Sequence, residues 1–384
     1  MKFKIIRVFF FLGAFVAFSI SASRSVQAQH EGFGGTQNCE ITEFDAPDAS
    51  TLPNLGTVAL DINVGGIIVG YYVDKNIVAH GFLRTPDGKI IPFDAPGAGL
   101  EHGAGQGTAA YGINDLGVIA GEVEDQNKLF HGFLRFRDGS FTTFDAPGAG
   151  TSANQGTVPL NINLFGVTAG YFIDGNNVTH GFVRSADGDI RTIDAPGAVK
   201  AGIGTFVCEA TCLNLEGEIT GWYFDANNTV HGFVRAPDGH LTVVDAPDAA
   251  TGNFTGTIGA SINAEGTITG YSLDANDTAH SYLRSRDGTF TTFHVPSAST
   301  AAGEGTAALA INLFGAVTGE FNDASSVMHG FSRSPRGTFA TFDAPHSGTG
   351  AGQGTNPSSN NAEGAVVGWY IDANNSIHGF LRTP

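Results

Sequence analysis

The feature that most constrains this chain is a repeat. The stretch His80-Gly81-Phe82-Leu83-Arg84, then Pro86-Asp87-Gly88, then Phe93-Asp94-Ala95-Pro96 recurs along the whole length. Its anchor histidine stands at His80, His131, His180, His231, His280, His329 and His378, in steps of 49 or 51 residues. A period of that size marks an architecture of stacked supersecondary units, each too small to bury its apolar face alone.

Within each copy the punctuation is regular. An Asp-Ala-Pro segment (His294-Val295-Pro296 in one copy) leads into a variable loop that ends in Gly-Thr, as at Gly56-Thr57. A short apolar run then reaches an Asn-x-x-Gly turn, first at Asn63 to Gly66. A second run ends in an aspartate present in every copy (Asp74, Asp125, Asp174, Asp225, Asp274, Asp323, Asp372), followed by Asx-rich turn residues. The histidine run and the Phe-Asp-Ala-Pro run complete the unit. No run carries a helical period, so each copy reads as four short strands.

Two inferences about pairing follow. If Asp87-Gly88 is a two-residue primed turn, Phe82 faces Phe93 and Gly81 faces Asp94, and the same rule pairs apolar residues in later copies. Ser281 and His294 replace the glycine and aspartate in the same copy, which supports contact between those two positions. At the ends, the chain finishes on a third strand, His378 to Arg382, and opens on an unpartnered fourth strand, Ile41 to Pro47. The expected fold is therefore an all-β, seven-bladed β-propeller over residues 41–384, with four strands per blade, its ring closed by the N-terminal strand. About 340 residues fit one ring because each blade packs only on its neighbours.

With Ile62-Asn63, Gly66, Gly70 and His80-Gly81-Phe82-Leu83-Arg84 at matching positions, the chain resembles the HAF-type extracellular repeat family from about Ile41 to Pro384. It differs by glycine where that family has alanine in His-Ala-Phe, and by the added Asp-Ala-Pro segment. The resemblance implies export and a repeated β fold, and brings no catalytic residues with it.

The N-terminus reads as a signal peptide: basic Lys2, Lys4 and Arg7, an apolar run from Val8 to about Ile20, and small residues up to Ala28. Cleavage after Ala28 would place the protein in the periplasm or outside the cell, with residues 29–40 as a flexible leader. The apolar run is short for a membrane span. The net charge is −18, and losing four basic residues with the signal would leave about −22. Such a field repels nucleic acid and anionic membranes, and suits a soluble monomer whose partner is a glycan or a protein. Of three cysteines, Cys39, Cys208 and Cys212, the last two bracket an insertion unique to the fourth copy. A disulfide between them needs a bulge or turn, because a straight strand would hold them about 13 Å apart.

Residues repeated in every copy are expected to build the scaffold: His80, Asp74, Arg84 and Asp94 with their counterparts, the arginines bonding carboxylates or carbonyls. No metal or other cofactor is expected; calcium is an alternative at the Asp-x-Asn turns, but each turn offers few of the 6–8 oxygens that ion usually takes. Residues that differ between copies are the ligand-binding candidates. Glu101, His102, Lys200, Asn253, Glu304 and His346 fall on loops expected to share a face with the Asx turns. Just inside, Glu122 and Glu320 replace the aromatics Tyr71, Tyr171, Trp222, Tyr271 and Trp369. The leading reading is a secreted, non-catalytic binding scaffold for glycan or protein. The alternatives are an exported hydrolase or lyase using Glu122, Glu320 or His102, and a structural cell-surface protein. An acid/base pair must lie within about 10 Å to act on one bond, and copies two and six are not adjacent. No Ser-His-Asp spacing, phosphate loop or dinucleotide fingerprint is present.

Overall fold

The structure is a computed structural model that describes residues 39–103, 105–198, 204–207, 211–252 and 254–384. The expected signal peptide, the leader up to Asn38, Lys200, Cys208 and Asn253 lie outside the described residues. Among those described, the chain forms 28 strands and no helix. The first is β1 (Glu40–Phe44), one residue earlier than the repeat suggested. The first complete unit is β2 (Thr57–Ile62), β3 (Ile68–Val73), β4 (Ala79–Arg84) and β5 (Ile90–Phe93), each antiparallel to the next.

Five further units repeat that order. The last has three strands, Gly354–Asn360, Val366–Ile371 and Ile377–Thr383, and β1 takes the fourth place beside it. The register runs from Glu40 opposite Thr383 to Phe44 opposite Gly379. The two chain ends therefore share one sheet, as their sequence requires.

The hairpin register differs from the two-residue turn predicted. Arg84 stands opposite Ile90, Phe82 opposite Pro92 and Gly81 opposite Phe93. Thr85 N donates to Lys89 O at 2.9 Å, so Pro86-Asp87-Gly88 is a three-residue loop, with Gly88 in the left-handed place at φ 91°. A three-residue hairpin of this kind needs glycine there. Adding one loop residue moves every partner by one, which exchanges the facing sets. Gly81 consequently meets the Phe93 ring; a Cβ there would sit 2.8 Å from ring carbons. Asp94 meets His80 instead. Ser281 stands opposite Phe293, and its hydroxyl donates to Thr306 O at 2.9 Å.

Three bonds between units recur. The hydroxyl of Thr57 accepts Ala46 N at 2.9 Å, which ties the end of one unit's outer strand to the next unit's first strand. The same bond is made by Thr108, Thr157, Thr205, Thr257, Thr306 and Thr355. In six of the seven Asn-x-x-Gly turns the asparagine uses its oxygen to cap its own turn and its amide to reach the next unit. Asn63 Oδ1 accepts Ile67 N at 2.9 Å, and Asn63 Nδ2 donates to Asn114 O at 3.2 Å. Asn361 Nδ2 donates back to Asn63 O at 3.1 Å, from the last turn to the first. Third, Arg84 stacks over the Phe44 ring at 4.9 Å while donating to Thr85 O. A carbonyl is bonded, as expected of these arginines, and the aromatic face is a further partner that the sequence did not indicate.

The core lies between units. Phe82, Phe133, Phe182, Phe233, Tyr282, Phe331 and Phe380 are each fully buried, an apolar gain of about 1.5–3 kcal/mol apiece. The interunit amide also predicts a number. Asn163→Ala removes the buried bond to Asn214 O and the half-buried cap on Val167 N, and should cost about 1–3 kcal/mol in a urea melt. A loss indistinguishable from zero would refute the clasp.

Candidate functional site

The repeated histidines build scaffold. His80 Nδ1 donates to Asp94 at 2.8 Å, and its Nε2 lies 3.9 Å from Asp74. Asp74 already accepts the backbone amides of Asn76 and Val78, so it fixes the turn and the ring together. Tyr72 stacks on the other side of that imidazole at 5.1 Å. In the copy where His294 replaces aspartate, His280 turns to Asp274 through Nε2 at 3.1 Å. Among the described residues no group of three or more His, Cys, Asp or Glu is arranged to hold a metal ion.

The variable loops do pack on the Asx turns. Gly103 N donates to Asn76 O and Gly105 N to Ile77 O, so the loop bearing Glu101 and His102 covers the first unit's turn. Both of those side chains are exposed. Glu304 instead accepts the Ser326 hydroxyl on a corresponding turn. Glu101 and His102 lie between the first and second units and His346 between the sixth and seventh, so these candidates do not converge.

Glu122 is a buried residue and Glu320 a half-buried one. Glu122 lies on β7 (Ile119–Glu124), which pairs with β6 (Gly107–Ile113), and is 4% exposed. Tyr111 Oη donates to it at 2.9 Å. Its position in each unit leans on the first strand of the next: Tyr71 packs with Ala109, and Tyr171 lies 6.0 Å from Phe206. By the same geometry Glu320 accepts the amide of Asn356. The two glutamates hold equivalent places in the second and sixth units. Burial pushes the Glu122 carboxyl up to about 8. Its neighbour Glu124, which the sequence reading missed, is pushed to about 7 by the same cause.

A concavity sits where the chain ends meet. A groove of about 460 Å³ is lined by Glu43, Phe44, Asp45, His346, Tyr370, Asp372, Ala373 and His378. His346 donates from both its backbone amide and Nδ1 to Glu43, 303 residues away. His378 Nδ1 donates to Asp45 at 2.9 Å, its Nε2 is 3.7 Å from Asp372, and Tyr370 stacks on it at 5.0 Å. The Asp45 bond holds His378 above the usual imidazole value. A smaller groove of about 260 Å³ occupies the equivalent place around His131 and Asp145. There the counterparts of His346 and Glu43 are Gly97 and Thr143, so the pair belongs to the last groove. Glu43 was legible as the glutamate where other copies carry Pro92, Thr143 or Val243. What the sequence could not supply was its meeting with His346.

Of the cysteines, Cys39 is free, exposed and 3.1 Å from Arg382 Nη2. Cys212 is buried and disulfide-bonded, while its expected partner Cys208 lies outside the described residues.

No family model matches the sequence, and no curated protein matches it. Among solved structures, puromycin hydrolase aligns with 85% of this chain at a TM-score of 0.54 and 12% identity. This chain spans about half, 52%, of that one. A fungal lectin from Aleuria aurantia, described as a six-bladed β-propeller with a fucose recognition mode, aligns with 73% of this chain and 92% of its own. Its TM-score is 0.42 and its identity 12%. The likeness to the hydrolase is one of fold.

The buried acids set a pH dependence. A carboxyl raised in the folded state stabilises it fully below the ordinary value near 4.5, and loses that contribution as pH rises through 7 to 8. His80 and His378, raised chiefly by their aspartate bonds, act in the same direction from about 6.5 upward. Melting temperature should therefore fall between pH 6 and pH 9, and Glu122→Gln should flatten that fall and melt higher than the parent at pH 8.5. Parallel curves for parent and variant would refute it.

Proposed function

We propose that the seven units are the blades of one closed seven-bladed β-propeller of the HAF-repeat type, exported, and that it binds a neutral glycan without turning it over. The ring reading is supported by β1 beside the last strand and by the amide bond from Asn361 back to Asn63. The observation that carries the binding reading is the groove between the sixth and seventh blades, whose His346–Glu43 pair the equivalent groove lacks.

Its chemistry suits hydroxyl groups. Glu43, Asp45 and Asp372 present carboxylate acceptors, and Phe44 adds aromatic surface, the combination on which a sugar ring is fixed and faced. Three carboxylates also repel uronates and other anionic sugars. The site thus selects by charge as well as by shape.

A panel of neutral and uronate oligosaccharides tests the reading by calorimetry. Neutral sugars should bind and uronates should not, and His346→Ala or Glu43→Gln should weaken binding about tenfold, as expected for a lost charge-assisted bond. Binding untouched by both variants would place the ligand elsewhere, and release of reducing ends would favour a hydrolase. Deleting residues 39–47 removes β1 and Asp45 together; an unchanged melting temperature would refute the ring closure.

A further inference from the structure

The second unit departs from the others at two neighbouring positions. Glu122 replaces an aromatic, and Glu124 stands where other units carry Val73, Ile173, Phe224, Leu273, Asn322 or Ile371. Two residues apart on β7, with unbroken pairing to the next strand, the two side chains lie on one face of the sheet. Both are buried, at 4% and 2% exposure. Glu122 accepts the Tyr111 phenol, whereas Glu124 Oε2 is buried with no hydrogen-bond partner.

A buried carboxylate oxygen without a donor costs on the order of several kcal/mol, and a scaffold position gains nothing from it. The surroundings also differ. Opposite Glu124 stand Gly107 and Phe130, and opposite Glu122 stand Ala109 and Gly132. Ala109 takes the place where most other units put Val58, Val158, Phe206 or Ile258 across from the aromatic, which leaves more room beside Glu122. Tyr71, Tyr111 and Tyr171 are close enough that Glu122 pushes each of their phenols up, after the larger effect of burial. The charged groups that act on Glu124 are the exposed Lys128 and the neighbouring Asp125.

We infer that Glu122, Glu124 and Tyr111 form a binding site for a primary ammonium group in the second unit. An R–NH₃⁺ group supplies the donors that Glu124 Oε2 and the second oxygen of Glu122 can accept, and tyrosine faces attract the same charge. Two carboxyls without a third acid or an imidazole fall short of a metal cage. Because the burial-raised carboxyls must be ionised to take the cation, binding releases protons and tightens with rising pH. The site is separate from the groove beside His346.

Calorimetric titration with methylammonium chloride at pH 6.5 and 8.5 tests this, with tetramethylammonium, sodium and calcium chlorides at matched ionic strength. Methylammonium should bind saturably and more tightly at pH 8.5. Tetramethylammonium, lacking N–H donors, should bind at least tenfold more weakly. Glu124→Gln should abolish binding while Glu43→Gln leaves it unchanged. Tyr111→Phe, which removes the phenol and keeps the ring, should weaken it and serves as the second variant if Glu124→Gln does not fold. No saturable heat, saturation by calcium in place of methylammonium, or affinity unchanged in both Glu124→Gln and Tyr111→Phe would overturn the assignment.

Discussion

A threonine hydroxyl accepting one backbone amide underlies the rest of this fold. The amide of Ala46 falls where the outer strand has ended and pairing has stopped, so within its own sheet it has no acceptor. Thr57, fully buried at the start of the next sheet, provides it. A buried N–H left alone would cost on the order of 1–3 kcal/mol, so each unit requires its neighbour in order to be satisfied. The asparagine amides do the same at the opposite ends of the first strands. Successive units are joined because none completes its own hydrogen bonds.

That dependence explains why the most repeated residues are the least eligible for chemistry. His80, Asp74 and Asp94 would read as a catalytic constellation if they occurred once. Here the imidazole is clamped between a turn-forming aspartate and an outer-strand aspartate, with an aromatic ring on its face. The residues proposed to bind ligands break the pattern: Glu43 and His346 at the seam of the chain ends, Glu122 and Glu124 inside the second unit. Each is a polar substitution at a register position that elsewhere carries a residue suited to packing or turning.

The sequence was a good guide to the units and a poor one to contacts across them. Four strands per copy, the Asx turns, the loops seated on those turns and the pairing of the two chain ends all follow from local punctuation and period. The hairpin register did not, because Asp-Gly after proline fits a two-residue or a three-residue loop equally well, and one extra residue moved Phe82 off Phe93. The arginines show a similar limit. Their spacing says nothing about Phe44 or Phe93, which belong to the preceding unit and come within stacking reach only once the sheets are packed.

What the sequence by itself determined is the repeat: its length, its strand count, its turn chemistry, and an orphan strand at one end matching a vacancy at the other. These are properties of nearest neighbours along the chain. Only the tertiary structure decided that Glu43 lies against His346, that Glu122 is buried with the Tyr111 phenol bonded to it, and that Glu124 is buried with an oxygen unbonded. Those outcomes depend on which face of one sheet meets which face of the next. That choice is made by packing between units and leaves no mark in the spacing of any one copy.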